Sequence, residues 1–187
     1  IGADGQGGAR GIGLDNGSGS KFLHPGQGYG GSCFPKDTSA LVQTAKLNNS
    51  NISIVETVVK YNKNRKHDMA DKILRVFNKD YDNKKISILG LSFKPETADM
   101  RESPSLDIIP MLQEKGIKIS AFDPVAMNEA KKFLKNIEFA ENLENCIQDC
   151  DALVILTEWN EFRSLTPDKL INHMKGNTLI DLRNALN

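Results

Sequence analysis

The residues around position 33 combine a nucleophile, two charged side chains and two glycines in one short stretch, Gly30-Gly31-Ser32-Cys33-Phe34-Pro35-Lys36-Asp37. Backbone N–H groups at the start of a helix favour a thiolate and can hold an oxyanion, and a helical pattern begins directly after Cys33. Lys36 adds positive charge, and Gly30 and Gly31 leave room for a substrate. The pattern predicts acyl chemistry through a thioester on Cys33. A buried cysteine that only packs is the alternative interpretation.

Cationic side chains follow the first and the last predicted strands of the second half of the chain. Lys94 and Arg101 come after the first of these strands, and Arg183 ends the last one. The carboxyl ends of parallel strands share one edge of a sheet, which is where such sheets bind ligands. With a helix predicted to start at Ser103-Pro104, the pattern indicates a phosphate site. A solvated charged loop over 93–103 is the alternative.

Other motifs predict less chemistry. Residues 26–31 match G-x-G-x-x-G, but no apolar strand precedes them, so the glycines indicate a tight turn or close approach to a bulky ligand. Cys146 and Cys150 have no His or Cys partner at zinc spacing, which predicts structural cysteines and no metal site. Trp159 and Phe162 follow a strand and are expected to pack.

The elements that would position these residues follow from hydrophobic periodicity. Residues 36–48 predict a helix, and residues 51–79 predict one long amphipathic helix without Gly or Pro. From 85 to 183 short apolar strands alternate with helices, which is typical of a doubly wound parallel α/β sheet. We therefore expect a helical region over 1–83 and an α/β domain over 84–187.

Composition excludes several classes of protein. The chain has 187 residues and a formal net charge of zero, which argues against nucleic acid or an anionic membrane as a partner. Three scattered cysteines indicate a reducing, cytoplasmic setting. Most of the 15 glycines lie in the first 31 residues; residues 17–20 have the composition of a flexible linker, and Gly5, Gly7 and Gly8 would each cost about 1 kcal/mol in a helix.

The sequence resembles the nucleotide-sugar 6-dehydrogenases of the UDP-glucose/GDP-mannose dehydrogenase family. The resemblance is carried by residues 11–15, 21–26, 28–37, 90–95, 100–105 and 181–184. Ser32 and Phe34 beside the cysteine are more similar to the UDP-glucose branch than to the N-acetylmannosamine branch, and the GDP-mannose branch is close.

The resemblance implies an NAD-dependent oxidation of the sugar C6 alcohol to a carboxylate through a thiohemiacetal and a thioester. Cys33 would be the nucleophile, and Asp37 would place the water or the general base. Lys36 and Arg101 would contact NAD. The residues that would hold the nucleotide sugar are Phe22, Leu23, His24, Pro25, Gly26, Gly30, Phe93, Lys94 and Arg183.

The resemblance also implies an N-terminal NAD-binding Rossmann domain, which does not precede Ile1 here. We therefore expect a fragment that comprises the central helix and the Rossmann-like UDP-binding domain. It would be inactive alone and would form a homodimer through the central helix. The alternatives are a non-catalytic UDP-sugar-binding module, a dimerisation fragment, or a dehydrogenase of GDP-mannose or of a UDP-N-acetyl sugar.

Overall fold

Five parallel strands form the sheet of the computed structural model, which describes residues 4–15 and 26–186. Four of the five strands are short, mostly apolar runs between turns, as the sequence predicts, and the fifth has only two residues. In space the strands run in the order β3-β2-β1-β4-β5. Their bounds are β1 Lys85–Leu89, β2 Lys118–Phe122, β3 Glu138–Phe139, β4 Ala152–Ile155 and β5 Thr178–Asp181. The predicted Rossmann-like parallel sheet is confirmed.

Seven α-helices accompany the sheet in the described part of the chain. The predicted long helix forms over Ser53–Arg75, inside the expected range, and the helix after Cys33 begins at Phe34. The helices are α1 Gly5–Gly13, α2 Phe34–Leu47, α3 Ser53–Arg75, α4 Ser105–Gln113, α5 Met127–Phe133, α6 Leu143–Ile147 and α7 Pro167–His173, with a 3₁₀ turn at Asn160–Ser164.

Helices pack on both faces of the sheet, because alternate strand residues point to opposite sides. On one face, Ile86 and Ile88 pack with residues of α4, α5 and the end of α3. On the other face, Leu153 and Ile155 pack with α6 and the 3₁₀ turn. The last turns of α3, including Ile73, therefore belong to the same core as the sheet, and this anchors the helix relative to the strand ends.

Two local features differ from or extend the sequence-based expectation. Ser103 lies at the predicted helix start, where its hydroxyl accepts from the Ser105 N–H at 3.3 Å and donates to the Leu91 carbonyl at 2.6 Å, so it ties the start of α4 to the end of β1. The helix α1 forms despite its glycines, and the Asp4 carboxylate accepts from the Gly7 N–H at 2.9 Å. The expected linker at 17–20 lies outside the described residues.

None of the helices in the described part of the chain combines the length and the apolar character needed to cross a bilayer.

Candidate functional site

The Cys33 thiol is exposed at the start of α2. The Ser32 hydroxyl lies 3.6 Å from the Cys33 sulfur, and the Asp37 N–H donates to the Cys33 carbonyl at 2.8 Å as the first helical hydrogen bond. The packing-only alternative for Cys33 predicts a buried side chain, and the structure places the thiol at the surface instead.

Lys36 and Asp37 lie in the first turn of α2. The Lys36 Nζ is 3.4 Å from Asp37 Oδ1, and the two side chains are 74% and 67% exposed. An exposed pair of this kind is weak, so both groups stay available to a ligand.

The loop that carries Cys33 packs closely against the segment after β1. A Cβ on Gly30 would lie 2.5 Å from the Glu102 carbonyl oxygen. Gly31 has a left-handed φ of +85°, donates its N–H to the Arg101 carbonyl at 3.0 Å, and would place a Cβ 2.8 Å from the Phe93 ring. In the described structure, the space that these glycines leave is thus filled by the chain itself.

A buried aspartate fixes the turn that presents Phe93 and Lys94. Asp123, at the end of β2, accepts from the Leu91 and Ser92 N–H groups at 2.7 and 3.2 Å. The Lys94 ammonium lies 5.4 Å from the centroid of the Phe93 ring. Because the Phe93 ring also packs against Gly31, a cation from the carboxyl edge of the sheet is held close to the Cys33 loop.

Arg101 pairs with Asp99 on the segment that follows β1. Its Nε and Nη2 donate to the two oxygens of Asp99 at 2.9 and 2.7 Å, and the thiol of Cys33 is near enough to act on it electrostatically. These hydrogen bonds hold the pKa of the Asp99 carboxyl below its ordinary value.

The Asp99 pair predicts a pH-dependent contribution to stability. Because its folded-state pKa is lowered, the contribution is present above the ordinary carboxyl pKa of about 3.9 and is lost as the pH falls through the folded-state value. We expect Arg101→Gln to raise the Asp99 pKa and to remove this contribution. NMR titration of Asp99 and urea unfolding between pH 2 and pH 7 measure both effects. The exposed Arg163→Gln is the control, and an Asp99 pKa equal in Arg101→Gln and wild type contradicts the prediction.

Arg183 lies beside the first described residue of the loop. It forms a two-point pair with Glu158, with Nε 2.7 Å from Oε2, and its side chain is only 17% exposed. A Cβ on Gly26 would lie 2.8 Å from Arg183 Nη1. Glu158 follows the carboxyl end of β4, and Arg183 follows the carboxyl end of β5. Gly26 therefore lies at the carboxyl edge of the sheet, beside Arg183. The expected site residues Phe22, Leu23, His24 and Pro25 lie outside the described residues.

Two cavities separate three of the four candidate cations, Lys36, Arg101 and Arg183. The larger, of about 900 Å³, is lined by Ser32, Lys36 and Arg101 together with Asn62 and Lys66 of α3. The smaller, of about 280 Å³, lies beside Arg183 and Glu158. Lys36 and Arg101 thus share one cavity, whereas Arg183 faces another.

Sequence reasoning missed the groups that hold this arrangement together. Glu158 follows β4. Parallel sheets bind ligands at the carboxyl ends of their strands, so a search of the residues after every strand would have identified Glu158. Gln27, which is 1% exposed and donates to the Leu156 carbonyl, ties the loop to the end of β4. Asn62 and Arg65 reach the loop from α3 across more than 30 residues of sequence, and no local signal marks them.

The other two cysteines are buried, as predicted. Cys146 is fully buried beneath the sheet, and this burial raises the pKa of its thiol to about 12. Burial also raises the pKa of Cys150. No cluster of three or more His, Cys, Asp or Glu residues that could hold a metal occurs within residues 4–15 and 26–186.

Comparison with known proteins gives a consistent result along the chain. Residues 1–64 match the central domain, and residues 87–187 the UDP binding domain, of the UDP-glucose/GDP-mannose dehydrogenase family. The chain is 48% identical over 184 residues to the UDP-glucose 6-dehydrogenase of Rhizobium meliloti, a match that covers 98% of this chain and 42% of that protein. It is 42% identical over 185 residues to a UDP-glucose 6-dehydrogenase of Bacillus subtilis, with coverage of 98% and 40%.

Solved structures give the same result. A UDP-glucose dehydrogenase from Pyrobaculum islandicum superposes with a TM-score of 0.82 at 28% identity, covering 95% of this chain and 39% of that one. A GDP-mannose dehydrogenase from Pseudomonas aeruginosa gives a TM-score of 0.75 at 26% identity, with coverage of 99% and 43%. The chain thus spans less than half the length of the relatives that it matches.

Proposed function

Because the chain belongs to the UDP-glucose/GDP-mannose dehydrogenase family, we propose that it is part of an NAD-dependent UDP-glucose 6-dehydrogenase. The parent enzyme would oxidise UDP-glucose to UDP-glucuronate, with two NAD⁺ and one water consumed and two NADH formed. The observation that carries the proposal is the exposed Cys33 thiol at the start of α2, in a loop packed against Phe93 and Arg101.

Cys33 would act after the C6 alcohol has become an aldehyde. Its sulfur bonds to C6, and the aldehyde oxygen takes up a proton, which gives a thiohemiacetal. Loss of a hydride from C6 and of the hydroxyl proton turns this adduct into a thioester. Water then attacks the thioester carbonyl, the C–S bond breaks, and the thiol is restored as the carboxylate forms. Asp37, one turn into α2, would orient this water or accept its proton.

The cofactor contacts would be Lys36 and Arg101. NAD⁺ supplies the hydride acceptor for both oxidations when it is bound. The two side chains fit a dinucleotide, because both are exposed cations that line the same cavity of about 900 Å³.

The nucleotide sugar would lie along the loop and the carboxyl edge of the sheet. Gly26 and Gly30 approach it with their main chain, and Phe93, Lys94 and Arg183 supply side chains. The proximity of Gly26 to Arg183 and of Gly30 to Phe93 supports this grouping. In sequence, Phe22, Leu23, His24 and Pro25 directly precede Gly26, and we propose them as further contacts.

The proposal includes the organisation of the chain and its assembly. Residues 1–83 would form the catalytic loop and central helical region, and residues 84–187 the UDP-sugar-binding domain. Ile54, Val58 and Tyr61 form an exposed apolar stripe at i, i+4 and i+7 of α3, with side chains 80%, 43% and 59% exposed. This stripe supports a homodimer through the central helix. The need for a free Cys33 thiol supports a reducing, cytoplasmic location.

Ligand binding to the isolated chain tests the proposal. We expect titration calorimetry to show UDP-glucose binding, with GDP-mannose at least about tenfold weaker since a base-specific site loses hydrogen bonds with the wrong base. We also expect no steady NADH production from UDP-glucose and NAD⁺, because the chain spans less than half of its relatives' length.

Each other outcome identifies a rival. Steady NADH production would show that the chain is active alone. Tighter binding of GDP-mannose than of UDP-glucose would indicate that GDP-mannose is the substrate. If no nucleotide sugar bound, the interpretation of the chain as a dimerisation fragment would be favoured.

A further inference from the structure

The side chain of Asn62 on α3 pairs with both main-chain groups of one loop residue. Its Oδ1 accepts from the Tyr29 N–H at 2.8 Å, and its Nδ2 donates to the Tyr29 carbonyl at 3.1 Å. The side-chain amide of Asn62 thus hydrogen-bonds both the N–H and the carbonyl of Tyr29, as a neighbouring strand does in a β-sheet. Because the two bonds run in opposite directions, they fix the orientation of the Tyr29 backbone as well as its distance from the helix.

The neighbouring residues are adapted to this contact. Gly28 has a left-handed φ of +121°, and a Cβ there would lie 2.5 Å from Asn62 Oδ1, so a side chain at position 28 would push the amide away. One turn further along the same side of α3, Arg65 Nε donates to the Gly26 carbonyl at 3.1 Å. The loop is therefore held to α3 at two points, with the closer and two-fold contact at Tyr29.

Tyr29 is connected to the thiol by a short, tightly packed path. Its ring packs edge-on against Phe34, with centroids 4.8 Å apart, and Phe34 directly follows Cys33. Between them, Gly30 abuts the Glu102 carbonyl and Gly31 bonds the Arg101 carbonyl. A displacement of the Tyr29 backbone is thus passed to residues on both sides of Cys33.

α3 also fixes the other wall of this path. Lys66, with a side chain only 7% exposed, lies 2.6 Å from Asp107 Oδ2 and 3.5 Å from Glu102 Oε2. Glu102 has a left-handed φ of +53°, and its carbonyl is the group that abuts Gly30. One face of α3 therefore holds the loop and the segment on which it packs.

We propose that Asn62 is a positioning residue for the Cys33 nucleophile and acts through the main chain of Tyr29. The role of Cys33 rests on the proposed function, whereas the contact of Asn62 with the loop does not. The central helix then does more than join subunits, because it sets where the thiol stands relative to Phe93 and Arg101.

Two substitutions separate the two hydrogen bonds. Asn62→Leu removes both, whereas Asn62→Asp keeps the acceptor for the Tyr29 N–H and removes the donor to the Tyr29 carbonyl. Asn64→Leu and Asn64→Asp are matched controls, since Asn64 is an exposed asparagine on the same helix. For each variant of the chain we would measure hydrogen exchange of the Tyr29 amide, the rate of Cys33 alkylation by iodoacetamide, protection of Cys33 by UDP-glucose, and the urea midpoint.

In Asn62→Leu we expect the exchange rate of the Tyr29 amide to rise by about tenfold or more. A tenfold rise corresponds to the loss of one hydrogen bond of ordinary strength. The Cys33 alkylation rate should change by at least about threefold, and the UDP-glucose concentration for half protection should rise by about tenfold. Asn62→Asp should keep the slow amide exchange. The urea midpoint should fall by no more than this tenfold factor accounts for, and the two Asn64 controls should stay at the wild-type values.

The inference is overturned if Tyr29 exchange and Cys33 alkylation are unchanged in Asn62→Leu. It is also overturned if Cys33 alkylation and its protection by UDP-glucose change only in proportion to a fall in the urea midpoint, which would show a general structural role. If UDP-glucose fails to protect Cys33 in the wild type, the proposed function fails. Tyr29 exchange and Cys33 alkylation then still decide for or against the positioning role.

Discussion

Iodoacetamide is expected to modify Cys33 at least about a thousand times faster than Cys146 near neutral pH. The thiolate is the reacting form, and burial raises the pKa of Cys146 to about 12. A shift from an ordinary thiol value of about 9 to about 12 lowers the thiolate fraction by about a thousandfold. The reagent must also reach the sulfur, and Cys146 is completely buried while Cys33 is exposed.

Cys150 should behave like Cys146, because it is also fully buried and burial raises its pKa. Mass spectrometry of peptides from a time course of labelling gives the three rates. In Cys33→Ser, early labelling should disappear without a change in fold, since the side chain at position 33 is at the surface. UDP-glucose should slow the reaction of Cys33 only. Equal rates at the three cysteines, or Cys33 labelling that no nucleotide sugar slows, would favour a module that binds without chemistry.

Much of the fold follows from local patterns. Four of the five strands of the sheet are mostly apolar runs bounded by turn residues, and Gly116 has the left-handed φ of +80° that the end of α4 requires. The place of Lys94 and Arg183 at one sheet edge also follows from the sequence, because alternating strands and helices force the strands to be parallel. Periodicity and topology are local or near-local properties, and a single sequence displays them.

The support of the candidate site does not follow from local patterns. Asn62 and Tyr29 are 33 residues apart, and the donors to Asp123 come from residues 31 and 32 positions earlier. These are single polar contacts across the fold, so they leave no period in the sequence. The glycines at 30 and 31 were visible in the sequence, but their packing against Glu102 and Phe93 depends on how α3 places the loop.

α1 shows the limit of intrinsic propensity as a guide. Gly5, Gly7 and Gly8 disfavour a helix, yet Gly5–Gly13 is helical with Asp4 at its cap. A hydrogen bond from a cap residue contributes about as much free energy as one such glycine costs, so a single favourable contact offsets part of the penalty.

Gly90→Ala is expected to lower the free energy of unfolding by about 3 kcal/mol, through two effects that act together. Gly90 directly follows β1 with a left-handed φ of +86°, a conformation that strains a side chain. A Cβ there would also lie 2.4 Å from the Thr157 Cβ and 2.6 Å from the Thr157 main-chain nitrogen. Because Thr157 follows β4, this contact would push apart the neighbouring strands β1 and β4 where they end.

Gly116→Ala is a matched control for the conformational part of the effect. Gly116 has nearly the same φ, +80°, but no atom lies within 4 Å of the position of its Cβ. It should therefore lose only about 1 kcal/mol, and the difference between the two variants, measured by urea unfolding, gives the cost of the close approach. Equal losses would show that the space beside Thr157 relaxes freely.

Gly90→Ala should also weaken nucleotide-sugar binding, and this effect is separate from the loss of stability. The Thr157 hydroxyl donates to the Ser92 carbonyl at 2.7 Å, and Ser92 directly precedes Phe93 and Lys94. A displaced Thr157 therefore moves the turn that presents both proposed contacts. We expect Gly90→Ala to weaken UDP-glucose binding by about tenfold at a temperature where the variant is folded, whereas Gly116→Ala binds like the wild type. Unchanged binding in Gly90→Ala would mean that Phe93 and Lys94 do not take part in holding the ligand.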